Sequence, residues 1–222
     1  LSVLLLAGIY FYNFTTPEFN VNVSQLPFWA LTVYFFWKGI NFNKNKDWIL
    51  FGIFSALGFL SKYLFIYILF SLFIFYIFNF KKYQKSLKGY LLSILISLIL
   101  LIPHFIWLFE NNFVTIFYGL NRSGLSEFNI FNHFKNPIEF TLKQIIILVP
   151  FFLMIFTLLK KIKFKINSKD KKIIFLIFIN IIPILLMLAT SLLSGAKIRT
   201  MWMTPFYLFF GTLFIYIFKN FI

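Results

Sequence analysis

Residues 49–80 read ILFGIFSALGFLSKYLFIYILFSLFIFYIFNF, a run of 32 residues that contains one charged side chain, Lys62. A single α-helix of this length would measure about 48 Å, which is too long for a modestly tilted span of a ~30 Å hydrocarbon core. Lysine-rich segments flank the run on both sides, so both ends are expected on the same side of a membrane. The run therefore predicts a helical hairpin whose tip lies near Ser61-Lys62-Tyr63. Its first arm is only about 20 Å long, so we expect Lys62 below the outer surface, facing a polar cavity that opens outward.

The whole chain has the composition of a polytopic membrane protein. Of its 222 residues, 61% are hydrophobic and 12% are charged, whereas about a quarter of the residues of an ordinary soluble domain are charged. Soluble, disordered, fibrous and coiled-coil classes are excluded by these values. The chain has no Cys, which excludes disulfides, thiolate metal sites and a Cys nucleophile. Because it begins at Leu1 inside an apolar run, we interpret it as a fragment that lacks its N-terminal part.

Eight apolar runs predict an all-α bundle of about eight transmembrane spans within a single membrane domain, residues 1–222. The runs are 1–14, 24–38, 48–61, 63–80, 89–109, 139–159, 173–193 and 202–218. Most of them are long enough to cross a bilayer, which takes about 20 residues.

Residues 110–138 are expected to form one long loop on the outer side. Apolar residues in its first part recur with the spacing of one helix face, at Phe113, Ile116, Phe117 and Leu120. The apolar pattern continues at Phe128, Ile130, Phe131 and Phe134. We predict one or two interfacial helices on the outer leaflet. The alternative is a loop packed on the protein's own outer surface.

The positions of the basic residues indicate the orientation of the chain. It carries 21 Lys and Arg against 6 Asp and Glu, a net charge of +15. If the segments 39–47, 81–88, 160–172 and the C-terminal tail share one side, that side holds 15 basic residues, counting Lys38 at a span end. The positive-inside rule makes this lysine-rich side cytoplasmic and the loop 110–138 periplasmic. The basic excess is thus a topology signal, and nucleic acid is not expected as a partner.

Six basic residues fall on the outer side, and four of them are candidates for binding a lipid phosphate. An ammonium at membrane depth costs roughly 2.5–3.5 kcal/mol, so Lys62 is expected to face a cavity, unless it snorkels to the headgroups. Lys197 and Arg199 lie in the short outer segment 194–200 and favour an anionic partner, or a solvated loop that touches headgroups. Arg122 is a weaker candidate of the same kind.

The other polar residues give weaker signals. His104 follows Pro103 near the outer end of its span, where a hydrogen-bonded His that fills a proline kink is the favoured interpretation. Glu18 is the only carboxylate of residues 13–22 and a weak candidate for a general base. No cofactor motif and no ligand set for a metal is visible, because two isolated His (His104 and His133) do not make a metal site; a divalent metal stays an open alternative.

Four segments resemble the motifs of a known family. Residues 19–23 (FNVNV) and 26–29 (LPFW) resemble an FNANxxxLPLW stretch. Trp48 and Gly52, followed by residues 57–63 (LGFLSKY), resemble a W-x-x-x-G…LGLAxLSKY segment.

The two later segments follow in the same order. Residues 103–107 (PHFIW) with Asn112-Phe113 resemble PHLVW…NDF. Residues 195–207, with Trp202, Pro205 and Tyr207, resemble a G-x-x-x-x-x-W-x-x-P-x-Y pattern. Over about residues 16–210 the chain is similar to bacterial family 39 glycosyltransferases. These form the dolichyl-phosphate-mannose protein mannosyltransferase-like group, with RgtA/B/C/D-like and aminoarabinose transferase-like proteins.

The resemblance implies a GT-C fold and a hexosyl or pentosyl transfer from a polyprenyl-phosphate donor to a lipid, polysaccharide or protein acceptor outside the cytoplasm. A bacterial inner membrane is the implied location. In the family an acidic residue of the first outer loop deprotonates the acceptor; we expect that loop before Leu1 and do not give its role to Glu18. Lys62 and Tyr63 of the SKY segment are the implied phosphate-binding pair, and His104 and Trp202 are further pocket candidates.

Two other functional classes fit the same spans. A polytopic transporter or lipid flippase would also use a cation at membrane depth, but it predicts internal repeats and paired broken helices, which the sequence does not show. An O-antigen ligase-like protein would also have a large outer loop with basic residues. An acidic pair in an upstream outer loop would favour the glycosyltransferase.

Overall fold

The computed structural model describes residues 1–124, 129–159 and 170–219, and every regular element within these ranges is helical. The α-helices are α1 (Ser2–Leu6), α2 (Val21–Phe42), α3 (Asn45–Ser61), α4 (Ile66–Phe78), α5 (Phe80–Tyr83), α6 (Leu87–Glu110), α7 (Val114–Arg122), α8 (Asn132–Leu158), α9 (Lys171–Ser194) and α10 (Phe210–Phe218). A π-helical turn covers Phe11–Thr15, and 3₁₀ helices cover Tyr63–Phe65, Gln84–Ser86 and Thr200–Tyr207. The predicted all-α class is confirmed.

The chain divides into two compact units. Unit 1 comprises Leu1–Val23 and Ser123–Ile222, and unit 2 comprises Ser24–Arg122. Parts of the sequence prediction lie outside the described residues, namely Glu127 and Phe128 of the loop 110–138 and the lysine-rich stretch 160–169.

Fewer helices than predicted are long and apolar enough to cross a membrane. In the described ranges these are Phe80–Glu110, Asn132–Leu158 and Lys171–Ser194, with a fourth if Thr200–Tyr207 and Phe210–Phe218, bent by 47°, count as one span. The predicted number of eight spans is therefore not confirmed. The arms of the predicted hairpin have 17 residues in α3 and 13 in α4, fewer than the ~20 that a span takes. The first apolar run, 1–14, is divided between α1 and the π-helical turn.

The hairpin predicted for residues 49–80 is confirmed in unit 2. Phe51 of α3 and Phe75 of α4 both contact the ring of Phe36 in α2, with ring centroids 5.3 and 6.3 Å away. A continuous helix would separate Phe51 from Phe75 by about 36 Å, so the chain reverses between them.

One buried indole holds α2, α3 and α6 together. Trp48, in the first turns of α3, has an exposed fraction of 0%. A methyl group on Gly39 of α2 would lie 2.8 Å from its ring, and one on Gly89 of α6 would overlap the ring. The indole N–H donates a hydrogen bond to Asn43 Oδ1 at 3.2 Å. Both glycines are needed here because only a residue without a side chain lets two helix backbones approach the indole so closely.

An ion pair joins the end of α2 to the start of α3. Lys38 Nζ lies 3.2 Å from Asp47 Oδ1, and the Asp47 side chain is only 3% exposed. Asp47 also lies in the first turn of α3, where the helix dipole stabilises a negative charge. The cation that the sequence places at a span end is thus neutralised inside unit 2.

Unit 1 is built on α8, α9 and α10. The Phe151 ring of α8 packs against Phe210 and Phe214 of α10, with ring centroids 6.1 and 5.5 Å away. The Tyr207 hydroxyl donates to Gln144 Oε1 at 2.7 Å, which joins the 3₁₀ helix to α8.

The loop predicted at 110–138 is shorter than expected, because α8 begins at Asn132. The extra turns of α8 are held by side chains that bind carbonyls at the end of α9. His133 Nδ1 lies 2.9 Å from Leu192 O, and Asn136 Nδ2 donates to Gly195 O at 2.7 Å. Leu192 lies in the last turn of α9, where carbonyls lack a partner within the helix, and Gly195 directly follows the helix. Phe134 therefore belongs to α8, which corrects the prediction of a second interfacial helix around it.

The first helix predicted in this loop is present as α7, and none of its residues is buried. Its position at the membrane interface stays a prediction. Its apolar side chains face outward; Phe117, for example, is 57% exposed. This exposure favours a helix that lies in the membrane interface over a loop packed on the protein's own surface.

We predict that Gly89→Ala destabilises unit 2 by about 1–3 kcal/mol, because the new methyl group displaces the Trp48 ring. Thermal unfolding of the purified protein in detergent, followed by circular dichroism, measures the change. Gly119→Ala in α7 is the matched control, since a Cβ there meets nothing within 4 Å. Equal unfolding temperatures for Gly89→Ala and the parent protein would contradict the proposed packing.

Candidate functional site

The tip of the α3–α4 hairpin is held by close packing. A methyl group on Gly58 would overlap the ring of Phe65, which is fully buried and contacts Trp29 edge-on at 5.5 Å. The Ser61 hydroxyl donates to Gly58 O at 2.6 Å at the last turn of α3. Lys62 follows with an extended backbone (φ −169°, ψ 135°) and lies outside both helices. The side chain of Lys62 is thus presented from a fixed break in the chain.

Tyr63 connects the hairpin tip to α6 and α7. Its hydroxyl oxygen lies 2.9 Å from His104 Nε2 and 2.7 Å from Thr115 Oγ1. His104 in turn stacks on Trp107, with ring centroids 6.0 Å apart. The predicted hydrogen-bonded histidine beside Pro103 is confirmed, and its partner is the residue that follows Lys62.

Two cations of unit 2 lie within electrostatic range of each other. Lys62 lies outside every segment that is long enough to span a membrane. Burial, and then the positive charge of Arg122, lower the pKa of Lys62 to about 7. Arg122 is exposed in the last turn of α7, and its Nη1 donates to the Tyr118 hydroxyl at 2.7 Å. An anion bound beside both cations would stabilise the charged form of Lys62, and phosphate suits both an ammonium and a guanidinium.

The other predicted phosphate ligands belong to unit 1. Lys197 and Arg199 are exposed and Trp202 is half-buried. Their segment begins at Gly195, whose φ of +71° favours glycine. The Lys197 N–H donates to Ser123 O at 2.8 Å, and the Trp202 N–H donates to Arg199 O at 2.9 Å. The structure therefore brings Lys62, Tyr63, His104 and Arg122 together within unit 2 and places Lys197, Arg199 and Trp202 in unit 1.

Glu18 lies exposed in unit 1, between the π-helical turn and α2. Its backbone carbonyl accepts a hydrogen bond from Asn20 Nδ2 at 3.1 Å. Within residues 1–124, 129–159 and 170–219, no group of three or more His, Asp and Glu side chains is arranged to hold a metal ion.

Thr115 and Tyr118 were not predicted as site residues, although the sequence contained a signal for them. Together with Arg122 they follow the i, i+3, i+7 spacing, which places all three on one face of α7. The prediction used only the apolar face of that helix and read Arg122 as an isolated cation. The polar face is the one that contacts Tyr63 and carries Arg122.

Tyr63→Phe removes two hydrogen bonds, and we predict that it loosens the attachment of α7 to the hairpin tip. The expected loss is about 1–2 kcal/mol of unfolding free energy, with faster amide hydrogen exchange in α7. Tyr34→Phe is the matched control because Tyr34 is 54% exposed in the same unit. Unchanged exchange in α7 of the Tyr63→Phe variant would show that these bonds do not hold it.

A family comparison agrees with the resemblance seen in the motifs. The family described as dolichyl-phosphate-mannose-protein mannosyltransferase matches residues 1–107, which include α1 to α5, most of α6 and the Lys62–Tyr63–His104 cluster. Comparison with curated proteins and with solved structures finds no match to the chain. Proteins of the matched family are membrane glycosyltransferases that use lipid-linked sugar donors. Residues 1–107 are thus similar to the dolichyl-phosphate-mannose-protein mannosyltransferase family, in agreement with the sequence motifs.

Proposed function

We propose that this chain is part of a membrane glycosyltransferase that moves a sugar from a polyprenyl-phosphate donor to an acceptor outside the cytoplasm. Lys62 and Arg122 bind the carrier phosphate in this proposal. The observation that carries it is the half-buried Lys62 ammonium at a fixed helix break, within electrostatic range of Arg122. The proposed location is a bacterial inner membrane, with the lysine-rich segments in the cytoplasm.

The placement of two cations together suits the change in charge during the reaction. The bond between the sugar's anomeric carbon and the phosphate oxygen breaks, and a bond forms between that carbon and the acceptor oxygen. The donor phosphodiester carries one negative charge, whereas the released polyprenyl phosphate carries up to two. Lys62 and Arg122 stabilise the additional charge as it develops, which lowers the barrier more than it strengthens donor binding. The acceptor's proton passes to a carboxylate that we place outside residues 1–222.

Tyr63 and His104 act as positioning residues in this scheme. Their hydrogen bond joins the residue after Lys62 to α6, and the second bond of Tyr63 reaches α7, which carries Arg122. Both cations are therefore held by one network, and their spacing does not depend on flexible side chains alone. Because folding already fixes the positions of the two cations, little free energy is needed to order them during the reaction.

We predict that Lys62→Ala lowers kcat in the full-length protein by about 10²–10³-fold, as the loss of one group that stabilises developing charge does in other enzymes. The measurement is transfer of label from a polyprenyl-phosphate sugar to acceptor in proteoliposomes. Lys62→Arg should keep part of the activity, and Lys88→Ala, which removes an exposed cation near the other end of α6, should keep all of it. Unchanged turnover and donor KM in Lys62→Ala would disprove the phosphate role. Label that crosses the bilayer without transfer would instead identify a transporter.

The lowered pKa of Lys62 predicts a pH dependence. Only the protonated ammonium attracts phosphate, so kcat/KM for the donor should fall as the pH rises through about 7. Arg122→Ala removes a charge that lowers this pKa, so the fall should move to higher pH, although the overall activity decreases. Lys62→Arg should abolish this fall in kcat/KM, because the guanidinium group stays charged throughout this pH range. A profile that is identical in all three proteins would contradict the assignment to Lys62.

A further inference from the structure

An apolar groove lies along unit 1 between α8 and α9. It has a volume of about 460 Å³ and is lined by Phe134, Ile138 and Leu142 from α8 and by Leu188, Ala189 and Leu192 from α9. Several of these side chains are widely exposed, with Ile138 at 60% and Leu192 at 51%. From Phe134 to Leu142 the groove extends about 12 Å along the helix, toward the apolar middle of α8.

The groove begins at a positively charged end. Lys143 Nζ pairs with Glu139 Oε1 at 2.5 Å, and the charges of Lys197 and Lys135 also act on Glu139. Together, Lys135, Glu139, Lys143 and Lys197 carry a net charge of +2, because one of the three lysine charges is balanced by the Glu139 carboxylate. Both lysines are exposed, and Lys135 follows directly after Phe134, the first residue of the groove.

The charged end of the groove is firmly built. His133 and Asn136 of α8 bind the carbonyls of Leu192 and Gly195 at the end of α9. The Ser191 hydroxyl donates to Ala196 O at 2.7 Å, which fixes the segment that carries Lys197. The two lysines thus stand on backbones whose positions are set by hydrogen bonds.

We propose that this groove is a binding site for an anionic membrane phospholipid. One acyl chain lies between α8 and α9, and the phosphodiester lies at Lys135 and Lys197. A phosphodiester attached to an acyl chain matches a cationic end that continues into an apolar groove of about 12 Å along α8 (~1.5 Å per residue). A zwitterionic phospholipid matches the groove but not its charge. The site lies wholly within unit 1 and does not use Lys62 or Arg122.

The first experiment measures lipid preference by native mass spectrometry of the full chain in detergent. Dioleoyl phosphatidylglycerol and dioleoyl phosphatidylcholine are titrated separately, without sugar donor. We expect the first phosphatidylglycerol molecule to bind at least about tenfold more tightly than the first phosphatidylcholine. Each lysine near an anionic lipid headgroup increases the affinity by about fivefold. Equal affinity for the two lipids would overturn the proposal.

Separate variants, each with its own control, test the contribution of the apolar groove and the contribution of the two lysines. Ala189→Trp fills the groove and should reduce phosphatidylglycerol binding by about tenfold or more, whereas Ile181→Trp, at an exposed position two turns along α9, should not. The double variant K135Q/K197Q should reduce the affinity for phosphatidylglycerol to near the affinity for phosphatidylcholine. K44Q/K46Q removes the same charge from exposed lysines of unit 2 and should leave the preference unchanged. Ala189→Leu replaces the Trp variant if the latter does not elute as a single species in gel filtration.

Three outcomes would overturn the assignment. A loss of binding with K135Q/K197Q but not with the groove-filling variants would indicate simple surface attraction. A similar loss with K44Q/K46Q would indicate an effect of net charge. Tighter binding of polyprenyl phosphate than of phosphatidylglycerol, lost in Ala189→Trp, would identify the carrier lipid as the occupant.

Discussion

The structure of unit 2 depends on the reversal of the chain at Lys62, where the close packing of Gly58 and Phe65 holds the hairpin tip. An apolar run as long as residues 49–80 would otherwise form one helix, and the break at Lys62 turns it into two short arms. Once the chain reverses there, Phe51 and Phe75 contact the same ring of α2, and Tyr63 comes within hydrogen-bonding distance of α6 and α7. The packing of unit 2 and its candidate site therefore both depend on the chain reversal at Lys62.

Two lysines of unit 2 have contrasting electrostatic surroundings. Lys38 lies beside the buried carboxylate of Asp47, so its charge is balanced inside the fold and ties two helix ends together. Lys62 is half-buried and lies within electrostatic range of a second cation, Arg122, and both effects lower its pKa. Two cations within electrostatic range of each other suit a ligand that carries negative charge.

The sequence predicted the all-α class, the hairpin tip and the contact of His104 because each follows from a local pattern: a long apolar run, a lone charge and a proline. The predicted number of eight spans is not confirmed, because hydropathy does not reveal how long each helix becomes; α1 and α4 are shorter than their apolar runs. The prediction also placed the start of α8 too late, since the bonds from His133 and Asn136 to the end of α9 join residues about 60 positions apart. Lys62 and Arg122 were both named from the sequence, but their proximity depends on the position of α7, which no local pattern specifies.

The enclosure of Trp48 by Gly39 and Gly89 has a consequence for how the protein can change over evolution. The three positions are separated by up to 50 residues of sequence, yet they surround one space between two helix backbones, which the Trp48 indole fills. A smaller residue at position 48 would open space that alanine or serine at the two glycine positions could fill, and a return to tryptophan would then be blocked. Substitutions at these three sites should therefore occur as a correlated set among relatives, with each member tolerated only in the presence of the others.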